Sequence, residues 1–144
     1  MMIQELNIMK TYNLSEINQL PKGNFLNFKS PGSKTKYITL FNHIPEQASI
    51  FGLLKPKTAH VKHYHKEGCD IFLITKGNGL LHYGDVDKQG KLISETTVPI
   101  KEGDFYYIST YQMHAIDNTG DTDLCWVNIA PITHEDVDWF PISE

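Results

Sequence analysis

Short apolar runs alternate with short polar breaks along most of this chain. Residues 37–41, 48–54, 59–65, 70–75, 80–83, 92–98, 104–108, 115–118 and 124–129 are rich in β-branched and aromatic side chains. Between them lie turn signals such as Lys66-Glu67-Gly68, Lys76-Gly77-Asn78-Gly79, Glu102-Gly103-Asp104 and Asn118-Thr119-Gly120-Asp121. Short, regularly punctuated strands predict an all-β sandwich or closed barrel. Too few helical stretches remain to cover a parallel sheet. One minor helix is expected at residues 15–20, with Ser15 as its N-cap and Pro21 ending it. The Lys76-Gly77-Asn78-Gly79 break reads as a hairpin. Residues 138–142, Asp-Trp-Phe-Pro-Ile, are unusually apolar for a free tail. They are expected to pack back on the barrel or on a second subunit.

Composition narrows the picture. The 144 residues are 40% hydrophobic, enough to bury one core without disulfide staples, and residues 1–144 are read as a single domain. A net charge of −4 argues against nucleic acid or an anionic membrane as partner. No apolar segment approaches the roughly 18–20 residues that span a bilayer. The first residues lack the basic-then-apolar pattern of a signal peptide. Two cysteines, Cys69 and Cys125, are not a disulfide framework. A cytoplasmic protein is expected.

The candidate chemistry lies in residues 59–70. His60, His63 and His65 fall within six residues. On a strand, residues i and i+2 share a face about 6.5–7 Å apart. Two imidazoles so placed can converge on one ion at metal–nitrogen distances of about 2.0–2.2 Å. His63 and His65 are therefore a candidate chelate, and parity puts His60 on the other face. By itself the pair equally describes two exposed histidines. The context adds a short turn and then Asp70 at the head of the apolar run Ile71-Phe72-Leu73-Ile74. A carboxylate is costly to bury there unless something pairs with it, and a metal ion would.

These residues resemble the two sequence motifs of the cupin superfamily. The first motif is His-x-His, three or four residues, Glu, six residues, Gly; here it reads His63-Tyr64-His65, then Asp70 and Gly77. The second is matched by Gly103, His114 and Asn118 at the family's intervals. The resemblance covers residues 59–118. Three departures stand out. Lys57 replaces the leading Gly of the first motif. Ser109 and Tyr111 replace the Pro and Gly of the second, so that turn is expected to be built differently. Asp70 replaces Glu, and the shorter permitted spacing would instead offer Cys69, a soft ligand favouring zinc or iron. Strand parity lets only one of the two face inward, and Asp70 is preferred. Glu67 in the turn is a third candidate.

The resemblance implies a jelly-roll β-barrel, or double-stranded β-helix, holding one divalent metal ion (Zn, Fe, Mn, Ni or Co) on His63, His65, His114 and Asp70. Such a set leaves a position open for a ligand, as catalytic metals require. The expected function is an enzyme acting on a carbonyl- or carboxylate-bearing small molecule: a dioxygenase, isomerase, lyase or decarboxylase. The alternative is a non-catalytic module that binds or senses a sugar or organic acid. A barrel that has lost its metal is the third reading. Tyr106, Tyr107 and His82 are candidate proton-transfer residues. Asn118 is read as closing a turn. No arginine lies near the motifs, which disfavours polyphosphate substrates. A homodimer is expected from the resemblance and from the apolar strands and tail.

Overall fold

The computed structural model describes residues 14–19, 25–27 and 34–143. Among these the fold is all-β apart from one short helix, α1 (Leu14–Gln19), and two 3-10 turns, Pro45–Gln47 and Ile132–Glu135. The helix begins at Leu14, one residue before the expected start at Ser15; Pro21 is outside the described residues. The strands are β1 (Leu26–Asn27), β2 (Lys36–Phe41), β3 (Ala48–Leu54), β4 (His63–Tyr64), β5 (Asp70–Lys76), β6 (Asn78–Asp85), β7 (Thr96–Lys101), β8 (Phe105–Ile108), β9 (Gln112–Asp117), β10 (Leu124–Ala130) and β11 (Phe140–Pro141). They form a six-stranded sheet, β1-β2-β3-β10-β5-β8, and a five-stranded sheet, β11-β4-β9-β6-β7, both antiparallel.

From β3 onward the chain repeatedly changes sheet, which winds it into a barrel with the two sheets face to face. The Gly77 corner is one such change. It is not the hairpin the sequence suggests, since β5 pairs with β10 and β8 whereas β6 pairs with β7 and β9. Gly77 adopts φ +85°, and a Cβ there would meet the Asp123 carbonyl at 2.5 Å. Only glycine turns this corner.

Alternation sets what faces inward. On β5, Asp70, Phe72 and Ile74 are buried, while Leu73 is exposed. The inner cluster joins Phe72 and Ile74 to Leu54, Leu81, Ile116, Leu124 and Trp126 across the two sheets. β3 is buried throughout because both its faces are covered. Phe51 and Leu53 meet Ile17 of α1, Phe25 and Ile38 on the outer side. The apolar tail packs back, as expected: β11 pairs with β4, and Phe140 and Ile142 join Tyr64, Val86 and Met113.

Two motif departures acquire a physical reading here. Lys57 and Tyr111, which stand where the motifs carry glycine, are the two non-glycine residues with left-handed backbone among those described, at φ +62° and +54°. The expectation of a differently built turn at Tyr111 is thus corrected. Its backbone keeps the conformation glycine favours, at a cost of about 1–2 kcal/mol. Tyr111 is held there by ring contact with Tyr64 and a hydrogen bond from its N–H to the His65 carbonyl, 2.8 Å.

Candidate metal centre

β4 and β9 pair at His63 and His114, so these side chains are cross-strand neighbours on one face. His65 follows by i+2 parity. The three imidazoles offer one another nitrogens that all lie within 4.8 Å. Asp70, at the head of β5 in the opposite sheet, meets the trio from the side of His65 and His114. Its Oδ2 lies 3.1 Å from His65 Nε2 and 3.2 Å from His114 Nε2. His65, His114 and Asp70 are buried and His63 is half-buried. Cys69 turns away from the cluster, with its Sγ near the Asp70 carbonyl at 3.7 Å. The Glu67 side chain is exposed. Of the three fourth-ligand candidates, the fold brings Asp70 to the histidines.

The tautomers follow from hydrogen bonding. His63 Nδ1 donates to the Val61 carbonyl (2.6 Å), His65 Nδ1 to the Asp138 carbonyl (2.5 Å) and His114 Nδ1 to the Gln112 carbonyl (3.2 Å). A carbonyl only accepts, so each Nδ1 carries a proton and each neutral ring presents a lone pair at Nε2. Burial holds His63 well below its ordinary pKa, with His114 and His65 adding to the effect. Burial lowers His65 as well, against the pull of Asp70. In that tautomer Nε2 of His65 and of His114 sets a lone pair against the Asp70 carboxylate, acceptor against acceptor. A cation among them removes the conflict. Three neutral imidazoles and one carboxylate are a donor set for a divalent ion such as zinc or iron.

Asp70 is anchored from behind by a residue that lies outside both motifs. His134, in the turn Ile132–Glu135, places Nδ1 3.0 Å from Asp70 Oδ1. Its Nε2 donates to the Glu67 carbonyl and lies 3.6 Å from Asp138 Oδ2. Both nitrogens face acceptors, so this ring is an imidazolium: burial opposes its charge, but Asp70, the Glu67 carbonyl and Asp138 raise its pKa. Burial likewise opposes ionised Asp70, but the N–H that His134 donates to Oδ1 holds it well below the usual carboxylate range. His134 also stacks on His65, centroids 3.8 Å apart and planes 7° apart. Asp138 accepts from the N–H groups of Lys66 and Glu67 at 2.7 and 3.0 Å. Trp139 stacks on His63 at 5.1 Å. Residues 134–139 therefore back the site. No spacing relates His134 to the motifs, and the apolar tail was the one signal that this segment returns.

His60 corrects the parity argument. Residues 60–62 are not strand; Ala59 makes an isolated bridge to Asp117, and His60 N–H donates to the Ile116 carbonyl at 2.8 Å. The ring turns inward, lines the cavity and meets Trp126 edge-on at 5.1 Å. Its Nδ1 accepts from Ile116 N–H at 3.1 Å. Burial, aided by His114, pushes its pKa down to about 3.

The three proton-transfer candidates are not brought into the cluster. Tyr107 points outward and is 67% exposed. His82 pairs with Ala115 while Tyr83 pairs with His114, so His82 lies on the other face of its sheet, bonded to Thr97 Oγ1 at 2.8 Å. Tyr106 points inward and stacks on Phe72 at 5.0 Å, but Phe72 is the one that lines the cavity. The Tyr106 hydroxyl is buried without a hydrogen-bond partner, and burial raises its pKa strongly. Asn118 closes its turn as expected, donating to the Leu54 and Thr122 carbonyls at 3.0 and 2.9 Å.

The cavity above the cluster is walled by Phe72, Trp126, Trp139 and Val61, with Asn128 and Glu135 among its polar groups. No helix among the described residues is long and apolar enough to cross a membrane.

Comparison with known proteins agrees with this architecture. Residues 51–130 match the model of the cupin domain. An oxalate-binding protein of Thermotoga maritima is 32% identical over 80 residues, a match covering 54% of this chain and 58% of that protein. The polyketide cyclase RemF of Streptomyces resistomycificus superposes with a TM-score of 0.68 at 15% identity, covering 95% of this chain and 87% of that one. The capsular polysaccharide assembling protein CapF of Staphylococcus aureus gives 0.67 at 15% identity, over 85% of this chain and 33% of that one. The chain thus spans little more than half of the first relative and a third of CapF. The two structural likenesses are of fold.

Proposed function

This chain belongs to the cupin family, and from that premise we propose that it holds one divalent metal ion on His63, His65, His114 and Asp70 and acts as a small metal-dependent enzyme. The substrate is a carbonyl- or carboxylate-bearing small molecule seated in the aromatic cavity. One observation carries the reading: three Nδ1 atoms are tied to backbone carbonyls while the rings of His63, His65 and His114 gather beside the buried Asp70 carboxylate. When bound, the metal would polarise a carbonyl oxygen or lower the pKa of a bound water. The chain's own residues hold the ligand atoms in place, exclude water with Phe72, Trp126 and Trp139, and offer Glu135 as an acceptor at the cavity wall.

Residues 1–144 act as one domain in this proposal, in the cytoplasm, where the free thiols Cys69 and Cys125 stay reduced. The protein works as a homodimer. Phe105, Tyr107, Leu73 and Ile129 support that state: they are exposed together on the outer face of β8, β5 and β10. A second reading, a binding module without turnover, is favoured by the name of the Thermotoga relative. Elemental analysis of protein purified without chelators, followed by a metabolite screen, tests both. Stoichiometric metal with turnover supports the enzyme. Metal with ligand-dependent thermal shift and no turnover supports the module. Metal retained by His63→Ala or His114→Ala protein contradicts the site.

A further inference from the structure

Beyond the histidines, every ionisable side chain lining the cavity among the described residues is acidic: Asp70 and Glu135. The chain contains no arginine, so all 13 of its cationic residues are lysines. The two lysines that flank the His63–His65 segment are occupied elsewhere. Lys62 pairs with Glu95 at 2.9 Å, and Lys66 sits over the Phe140 ring at 4.2 Å. The pocket therefore has no described lysine or arginine to meet a second negative charge on a ligand.

Charge within the site is already matched. The carboxylates of Asp70 and Glu135 match the charge of a divalent ion, and His134 already faces Asp138 at 3.6 Å. A ligand with two negative charges would leave both uncompensated against apolar walls, where burying a charge is costly. Glu135 feels this environment already, since burial and the Asp70 charge raise its pKa.

The remaining walls have their own preference. Phe72, Trp126 and Trp139 line the cavity, and an aromatic ligand buries apolar area against them. The Glu135 carboxylate is an acceptor and recognises a donor such as a hydroxyl.

On the metal-binding reading above, we propose that the pocket takes a neutral or singly charged, ring-bearing ligand with a metal-binding oxygen group and a hydroxyl directed at Glu135, and that it discriminates against small dicarboxylates such as oxalate. Oxalate binding, after which the Thermotoga relative is named, then does not transfer to this chain. That protein is 32% identical over 80 residues and is matched over only 58% of its length.

The test uses the full chain loaded with cobalt(II), whose visible absorption reports binding at the metal. Salicylate is titrated against oxalate, at oxalate concentrations below those that withdraw cobalt. Salicylate is expected to bind at least roughly tenfold more tightly. Glu135→Gln and Glu135→Lys should raise oxalate affinity by roughly tenfold or more, with the smaller change kept as a check should the lysine variant misfold. Oxalate binding as tightly as salicylate to the unaltered protein overturns the proposal, and so does a spectrum that neither ligand alters. Failure to take up cobalt at all contradicts the metal reading itself, and is distinguished because it precedes any ligand addition.

Discussion

Replacing His134 by phenylalanine isolates the residue that anchors Asp70. The substitution keeps a ring in the stack with His65, 3.8 Å away, so packing is largely preserved. It removes the N–H that reaches Asp70 Oδ1 at 3.0 Å and the one donated to the Glu67 carbonyl. A hydrogen bond to a charged group contributes about 1.5–3 kcal/mol, and breaking a buried ion pair from one side costs about 3–5 kcal/mol. The metal-free variant should lose about 3 kcal/mol, leaving a folded protein if total stability lies in the usual range of about 5–15 kcal/mol. Metal affinity should fall by roughly 10- to 100-fold, the cost of losing a partner that orients a ligand. Zinc affinity by chelator competition measures this, with urea unfolding of the metal-free protein as the stability control. His134→Asn, whose amide can still donate to Asp70, should recover part of the affinity. In an Asp70→Asn background the His134 substitution should cost little more, because His134 acts through Asp70. An affinity within about twofold of the unaltered protein would refute the reasoning, and an additive loss in the double variant would show that His134 acts on the metal by another route.

Three further outcomes follow from buried groups. Tyr106→Phe removes a buried hydroxyl that has no partner, so stability should hold or rise by up to about 1 kcal/mol in thermal melts; a loss above about 2 kcal/mol would reveal a missing partner. Gly52→Ala places a Cβ 2.2 Å from the Trp126 indole, so melting temperature should fall and Trp126 fluorescence shift. Acid should destabilise the metal-free protein. The folded pKa of His60 is about 3, and those of His63 and His65 are also lowered, so the unfolded chain takes up protons that the folded one refuses. Their contribution is complete above the unfolded value of about 6.5 and is lost as pH falls below it, at up to about 1.4 kcal/mol per pH unit for each group. His134 runs the other way, its contribution present in acid and lost as pH rises through its raised pKa, but it is outnumbered. Urea midpoints across this range check the slope; a flat profile contradicts the buried neutral imidazoles.

Much of the barrel was legible because its strands obey a two-residue period that burial enforces. Asp70, Phe72 and Ile74 face inward as alternation requires, and His63, His65 and His114 meet because their motifs fix both register and face. Misreadings occurred where local pattern gave way to chain crossing. Residues 59–65 look like one strand, but only His63 and Tyr64 pair as strand, so parity failed for His60. The run 92–98 is misplaced as a strand: β7 spans Thr96–Lys101 and includes Pro99, which an edge strand tolerates. Gly77 looks like a hairpin turn, and only the pairing of both sheets reveals a corner. His134 was invisible for a related reason. It reaches Asp70 through closure of the tail across 64 residues, and no local spacing encodes that contact.

The central claim is that one divalent ion sits among His63, His65, His114 and Asp70. A crystal grown with zinc and measured at the zinc absorption edge tests it most directly. A single anomalous peak is expected about 2.0–2.2 Å from the Nε2 atoms of the three histidines, with Asp70 as the fourth protein ligand. A peak on Cys69, or a cluster with no peak at all, would contradict it.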